Sequence, residues 1–386
     1  MTRPSLLDEA GIAIRGNGVA AWCCAHLLKN AGGKPALERA TRPRPPAIML
    51  SETALGLIRN VFESPDLFRT AHRITRRSVA WGHDAEPAAF DHAAVVVSEW
   101  DLLSALEQVV VAPAEHLDRE ADFTIFTSRP LPVDPLEHCF GSRTAHAAQI
   151  HLKDSHDSVS CWIESLEDGW LFLIPNAPDS GWLLSVGPSP ATALSESRLI
   201  GHRIESMSEP SGAFAASPRI LSPLSGPGWL ACGTAGLAFD PLCGDGTAHA
   251  TREAILAVAV VRAILSGGDA TLLLSHYEAR LSAGFQRHLA VTMDFYRSGN
   301  CGKWWEQETA FLQQGLEWCA RKLVDHGPFR YQLAGFELRP ILTTIRLNAR
   351  FVTRDLSCIW PGSQPAQCLR LWFLASPRQR LRSTLC

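Results

Sequence analysis

The stretch from Gly11 to Glu38, which begins GIAIRGNGVAAWCCAHLL, restricts the possible folds of this chain more than any other. Gly11-Ile12-Ala13-Ile14-Arg15 reads as a short buried strand and Gly16-Asn17-Gly18-Val19-Ala20-Ala21 as a glycine turn. Trp22 to Asn30 carries a helical apolar pattern that stops at Ala31-Gly32-Gly33. Strand, glycine turn and helix in this order form the first half of a dinucleotide-binding βαβ unit. In such a unit Gly16 permits the tight turn, Gly18 lets the backbone approach a diphosphate, and Ala21 lets helix and strand pack closely. The diphosphate sits at the helix N-terminus, where unpaired N–H groups and the macrodipole favour negative charge. Glu38, closing Lys34-Pro35-Ala36-Leu37-Glu38, stands about 20 residues on, where a carboxylate holds a ribose. The pattern GxGxxA alone also occurs as an ordinary tight turn; the strand, the helix and Glu38 favour the nucleotide reading, with Gly16, Gly18, Val19, Ala20, Ala21 and Glu38 as its contacts.

At 386 residues the chain can bury a sizeable core, and its length suggests about two domains. The net charge of −3 gives no broad phosphate-neutralising surface, so a nucleic-acid partner is not expected. Eleven cysteines are scattered, odd in number and without a CxxC pair, which predicts reduced thiols and no metal site. No run reaches the roughly 18 apolar residues of a membrane span and no signal peptide is visible, so a soluble cytoplasmic protein is expected.

Further along, Arg42-Pro43-Arg44-Pro45-Pro46 is a stiff lead-in to a strand at 47–50, followed by Ser51-Glu52-Thr53 as a loop and a helix over 54–63. Strands are expected at 74–82 and 93–98, an amphipathic helix from Trp100 to Val109, and a buried strand at Phe123–Phe126. From Ala145 the pattern changes. Ala147–Leu152, Ser158–Glu164, Trp170–Ile174 and Trp182–Val186 are strand-like runs between Asp, Gly, Ser and Pro turns, which predicts an antiparallel sheet layered over the nucleotide domain. A helix is expected over 190–206, a strand at 228–233, a long apolar helix from about Thr247 to Leu265, and mostly helix over 271–323. From Ile345 the chain is basic and irregular, a solvated surface or a seat for an acidic partner.

The second glycine cluster, Asp240-Pro241-Leu242-Cys243-Gly244-Asp245-Gly246, turns a strand-like run into the long helix. Its backbone N–H groups and the positive helix end make an anion site, far in sequence from the first turn. Two such turns suggest one extended cofactor clamped from both sides. A reduced flavin, which carries negative charge at its N1–C2=O region, suits the second. The plain alternative is an ordinary loop and helix start.

With these motifs the sequence resembles the FAD-dependent monooxygenases of the p-hydroxybenzoate-hydroxylase fold, and more closely their flavin-dependent halogenase branch, over roughly residues 11–300. Gly16–Ala21 with Glu38 matches the first motif, and Asp240–Gly246 matches DPLSGxG. Trp170-Leu171-Phe172-Leu173-Ile174-Pro175 looks like the halogenase WxWxIP with Phe in the second aromatic place. The resemblance implies a Rossmann-like FAD-binding domain of α/β class, an antiparallel-sheet substrate domain and a helical C-terminal region. It divides the chain into a first FAD-binding part at 1–140 (with substrate-domain strands near 74–98), a substrate sheet at 141–210, an FAD-binding return at 211–270 and a helical region with a basic tail at 271–386. Gly233, Thr234, Asp240, Pro241, Gly244, Asp245 and Gly246 are the implied contacts of the second part.

Two departures matter. Gly233-Thr234 stands where the family has Gly-Asp, so the ribityl chain would be held without charge and FAD held less tightly. The middle motif is reduced to Phe126-Thr127-Ser128-Arg129, which makes a separate flavin reductase plausible as electron source. Halogenases also carry an essential lysine shortly after the region that Ser51-Glu52-Thr53 resembles. This chain has no lysine between Lys34 and Lys153, and the arginines of His72–Ser78 cannot replace a reactive amine.

The resemblance therefore implies an FAD-dependent monooxygenase that hydroxylates an aromatic, tryptophan-like substrate, small or borne on a peptide or protein, through a flavin C4a-hydroperoxide. One subgroup hydroxylates a protein tryptophan during tryptophylquinone biogenesis, and the reduced halogenase features fit it. A halogenase, an FAD oxidase or dehydrogenase, and an inactive flavin-binding protein are the alternatives. His92, His146 and His151 are the acid–base candidates, each also readable as a plain surface or core histidine. Trp304, Trp305 and Trp318 read as core or as cavity lining.

Overall fold

The computed structural model describes residues 6–110, 113–326, 329 and 331–340; the basic stretch from Ile345 onward lies outside them. After a helical turn α1 (Leu6–Glu9), β1 (Ile12–Arg15) runs through the glycine turn into α2 (Val19–Asn30), followed by β2 (Ala36–Glu38). The helix begins at Val19 rather than Trp22, because Gly18 already takes the N-cap position. Next come β3 (Ile48–Ser51), α3 (Glu52–Val61), β4 (His72–Ala80), β5 (Ala88–Val97), α4 (Glu99–Val109) and β6 (Phe123–Phe126). The expected loop at Ser51-Glu52-Thr53 is absent. Ser51 ends the strand and caps the helix, its hydroxyl accepting the Ala54 N–H at 3.2 Å, so Glu52 and Thr53 form the first helical turn.

Four long strands follow the short β7 (Leu136–Cys139): β8 (Thr144–Leu152), β9 (Ser160–Leu166), β10 (Gly169–Pro175) and β11 (Ser180–Val186). The helix expected over 190–206 is only α5 (Pro190–Glu196), followed by a 3₁₀ turn and β12 (Ile204–Met207). A buried carboxylate explains the break. Glu164 on β9 accepts the N–H groups of Arg198, Leu199 and Ile200, which holds those residues in a turn and withholds them from a helix. The chain continues through β13 (Ala213–Ala215), β14 (Arg219–Ser222), β15 (Ser225–Gly226), β16 (Trp229–Ala231) and β17 (Leu237–Ala238). Then come α6 (Gly246–Leu265), α7 (Ala270–Gly299), α8 (Lys303–His326) and the hairpin β18 (Tyr331–Ala334) and β19 (Glu337–Pro340).

A five-stranded sheet in the order β15-β16-β6-β1-β2 carries the glycine turn at the C-terminal end of β1, with β2, β1, β6 and β16 parallel. A nine-stranded sheet runs β12-β8-β11-β10-β9-β4-β5-β3, with β13 also on β8, and is antiparallel except between β4 and β9. Alternation along β10 defines its two faces. Trp170 and Phe172 enter the main core, while Leu171 and Leu173 pack with Ile150, Leu183 and Ala193 under α5. Trp170 thus marks the inner face of this sheet. Among the described residues, no helix is long and apolar enough to cross a membrane.

Candidate functional site

At Gly16 the first turn admits only glycine. Gly16 has φ of 137°, and a Cβ there would lie 2.1 Å from Thr127 Oγ1. Thr127 and Ser128 donate their N–H groups to the Arg15 carbonyl at 2.8 and 3.1 Å, which closes the turn from the side of β6. The Phe126–Arg129 segment thus serves this turn, and Arg129 is ion-paired with Glu137. α2 begins at Gly18 with no side-chain cap and no acidic residue in its first turn, so its leading N–H groups are available to an anion. Val19, Ala20 and Ala21 are buried beneath it. Glu38 lies beside the turn, its carboxylate paired with Arg15 Nε at 2.7 Å.

A contact that sequence reasoning missed lies over Gly18. The Arg42 guanidinium comes within 3.1 Å of the position a Gly18 Cβ would occupy, and the buried Glu99 holds it there. The only sequence signal was an arginine entering a proline-stiffened segment.

The second turn reaches the first through space. A Cβ on Gly233, which has φ of 62°, would stand 3.0 Å from the Ala20 Cβ, so Gly233 packs directly on α2. The Gly233 N–H donates to Glu253 Oε2 at 2.9 Å, and burial raises the Glu253 carboxyl to about 7. Thr234 is exposed beside it. Beyond them, Pro241–Cys243 form a 3₁₀ turn, Gly244 is left-handed at φ of 61°, and α6 starts at Gly246 without a side-chain cap or an acidic first turn. A Cβ built on Gly244 or Gly246 meets no atom within 4 Å, so the turn edges an open space. Asp245 accepts a hydrogen bond from Arg252 Nη1 at 3.0 Å.

Asp240 behaves differently from its neighbours. Its side chain is fully buried; Oδ1 accepts the Leu242 N–H at 2.8 Å, and Oδ2 accepts the Tyr296 hydroxyl at 2.9 Å and lies 3.3 Å from Arg143 Nε. Its N–H donates to His288 Nε2 at 3.0 Å, and burial pushes that imidazole down to about 3, which makes it a neutral acceptor. Arg143 also meets Glu308 at 3.4 Å, and its guanidinium lies 4.6 Å from the Tyr296 ring centre. The Asp240 carboxylate is therefore a brace of the turn rather than a group aimed into the open space.

The three histidines are not brought together. His146 and His151 lie five positions apart on β8, whose pairing with β11 has no shift of register, so they point to opposite faces of the sheet. His151 is exposed. His92 stands on β5, its Nε2 2.9 Å from Arg77 Nη2, and burial with that guanidinium pushes it down to about 3. The Trp170–Pro175 run is β10 itself, and the Trp170 indole donates to the Tyr296 hydroxyl at 3.0 Å. Tyr296 thus joins the inner sheet face to the Asp240 turn, and the half-buried Phe90, Ile174, Trp182 and Leu184 occupy sheet positions farther from that link. Trp305 is core, donating to the Leu166 carbonyl at 3.0 Å; Trp318 packs on Phe140 and His138.

The two uncapped helix starts, the glycine positions that cannot or need not carry a side chain, and Arg42 over Gly18 fit an extended diphosphate cofactor. Among the described residues no cluster suits a metal ion. No family profile matches the chain, and no curated protein matches it. Solved structures do. The chain is similar to a peptidyl tryptophan dihydroxylase, QhpG, essential for tryptophylquinone cofactor biogenesis, at 18% identity over 97% of both chains with a TM-score of 0.65. It is similar to the flavin-dependent brominase Bmp2 at 16% identity, over 83% of this chain and 94% of that one, with a TM-score of 0.62. A Klebsiella pneumoniae HpxO variant complexed with FAD aligns at 14% identity over 83% of this chain and all of its own, with a TM-score of 0.56. The chain has the fold of the FAD-dependent monooxygenases and halogenases.

Proposed function

We propose that this protein is an FAD-dependent monooxygenase that hydroxylates an indole-type aromatic ring carried on a peptide or protein. The observation that carries the reading is the convergence of two uncapped helix starts, at Gly18 and Gly246, joined by the contact of Gly233 with Ala20. The match over 97% of both chains to a peptidyl tryptophan dihydroxylase supports the choice of substrate class.

In this reading the N–H groups at the start of α2 and the Arg42 guanidinium hold the diphosphate, and Glu38 holds the ribose once Arg15 yields it. Thr234 offers a neutral hydroxyl to the ribityl chain, and the N–H groups at Gly244–Gly246 with the α6 dipole neutralise an anionic ring edge. Bound FAD supplies the activation of dioxygen. The inner-face residues Phe90, Ile174, Trp182 and Leu184 exclude water and orient an apolar ring. Residues 1–140, apart from the substrate-sheet strands near 74–98, and 211–270 make the cofactor-binding part, 141–210 the rest of the substrate sheet, and 271–386 the helical C-terminal region with its basic tail. Arg129, tied to Glu137, supports a separate reductase as electron source. The absence of lysine between Lys34 and Lys153 disfavours halogenation.

The test supplies the protein with FAD, a flavin reductase and labelled dioxygen, and follows tryptophan-containing peptides and free tryptophan by mass spectrometry. Labelled oxygen in a peptide indole is the expected result. Hydrogen peroxide in step with substrate oxidation, with no label incorporated, would make the protein an oxidase instead.

A further inference from the structure

Four of the chain's twelve tryptophans and one of its three tyrosines are gathered in one connected cluster behind the Asp240 turn. The Trp170 indole donates to Tyr296, whose ring centre lies 5.3 Å from Trp305 and 5.8 Å from Trp304, the latter nearly parallel at 28°. Trp304 and Trp305 are 4.9 Å apart, and Trp81 meets Trp305 at 5.4 Å. Trp170, Tyr296 and Trp305 are fully buried, whereas Trp304 is half-buried and gives the cluster a surface end.

Packing alone accounts for aromatic rings in contact. The polar surroundings add a proton acceptor. The Tyr296 hydroxyl faces a buried carboxylate at 2.9 Å, which is placed to take the phenolic proton if the ring loses an electron. Around that ring two buried carboxyl groups, Asp240 and Glu308, share one guanidinium, Arg143, which lies 4.6 Å from the ring centre. His288, which accepts the Asp240 N–H, is neutral and adds no positive charge.

We propose that Trp170, Tyr296, Trp305, Trp304 and Trp81 form a one-electron relay that carries an oxidising equivalent from the Asp240 turn to the surface at Trp304. The oxidant is a hydroxyl radical that reaches the turn from solvent. It takes one electron from Tyr296 and becomes hydroxide, while the phenolic proton passes to Asp240 Oδ2. An electron from the Trp304 indole then refills Tyr296 as the proton returns from Asp240, and the oxidised indole releases its N–H proton to solvent. A solvent thiol restores Trp304 by giving up a hydrogen atom, and two such thiyl radicals couple as a disulfide. The relay spares the turn and whatever it holds.

Because electron transfer along such a chain is reversible, the surface end serves as the entry for a test that needs no cofactor. The full chain is oxidised by laser flash-quench of ruthenium tris-bipyridine, and the protein radical is followed by transient absorption and electron paramagnetic resonance. A tyrosyl signal is expected in the native protein and a tryptophanyl signal alone in Tyr296→Phe. Trp304→Phe, half-buried and tolerant of the change, should slow tyrosyl formation at least ten-fold. Trp100→Phe, which removes a 62% exposed ring outside the cluster, should leave the rate unchanged. A tyrosyl signal that persists in Tyr296→Phe, or a rate indifferent to Trp304→Phe, overturns the proposal.

Discussion

Arg143 and Asp240 meet with both side chains fully buried, Nε 3.3 Å from Oδ2, and this pair ties the start of the long sheet to the turn that opens α6. The guanidinium also donates to the Phe140 carbonyl at 3.0 Å and faces Glu308, while Glu308 accepts the Ser142 N–H at 3.0 Å. Burial pushes the Asp240 carboxyl up, and Arg143, the Leu242 N–H and Tyr296 oppose that push. Removing the cation would leave two buried carboxylates uncompensated. Arg143→Met is expected to destabilise the fold by about 3–5 kcal/mol in denaturant unfolding. A loss below about 1 kcal/mol, the range of exposed ion pairs, would show the network to be incidental.

Glu253 gives a pH dependence with a definite sign. Its carboxyl is raised from an ordinary 4.5 to about 7 by burial, against the pull of the Gly233 N–H. A raised folded value means that the group favours the fold fully below 4.5, and that this contribution is lost as pH rises to about 7. The shift corresponds to roughly 3 kcal/mol. Glu253→Gln keeps an acceptor for Gly233 but cannot ionise. Its unfolding free energy should fall less than that of the native protein between mildly acidic and mildly alkaline pH. Parallel profiles would assign the titration to other groups.

The two ends of the cofactor cradle should separate folding from binding. Gly16→Ala forces a side chain into Thr127 at φ of 137°, so both stability and FAD binding should suffer, stability by about 1–3 kcal/mol. Gly246→Ala meets nothing within 4 Å in the protein, so its melting temperature should stay within a few degrees of native. FAD titration should nonetheless show weaker binding, because the added methyl enters the space assigned to the cofactor. Native affinity in Gly246→Ala would move the cofactor away from this turn.

What the sequence revealed was local. The β1–α2 unit follows from a few adjacent residues whose conformational needs are fixed by short-range sterics, and the Asp240–Gly246 run is equally self-contained. The antiparallel strands announced themselves by turns and alternation, although β9 begins two residues later than expected, behind a 3₁₀ turn at Ser155–Val159. What stayed hidden depends on partners distant in the chain. Nothing near Arg42 points to Glu99, nothing near Gly233 points to Glu253, and nothing in Arg143 points to Glu308. The helix expected at 190–206 failed for the same reason, since Glu164 competes for its backbone donors. The histidine candidates were chosen by residue type, and strand parity separates two of them onto opposite faces.

The most direct measurement is the visible absorption of the purified protein, alone and after addition of FAD, followed by anaerobic reduction and mixing with oxygen. A protein-bound flavin spectrum is expected, with bleaching on reduction and an oxygen-dependent transient before the oxidised spectrum returns. A protein that stays colourless and leaves the spectrum and fluorescence of added FAD unchanged would contradict it.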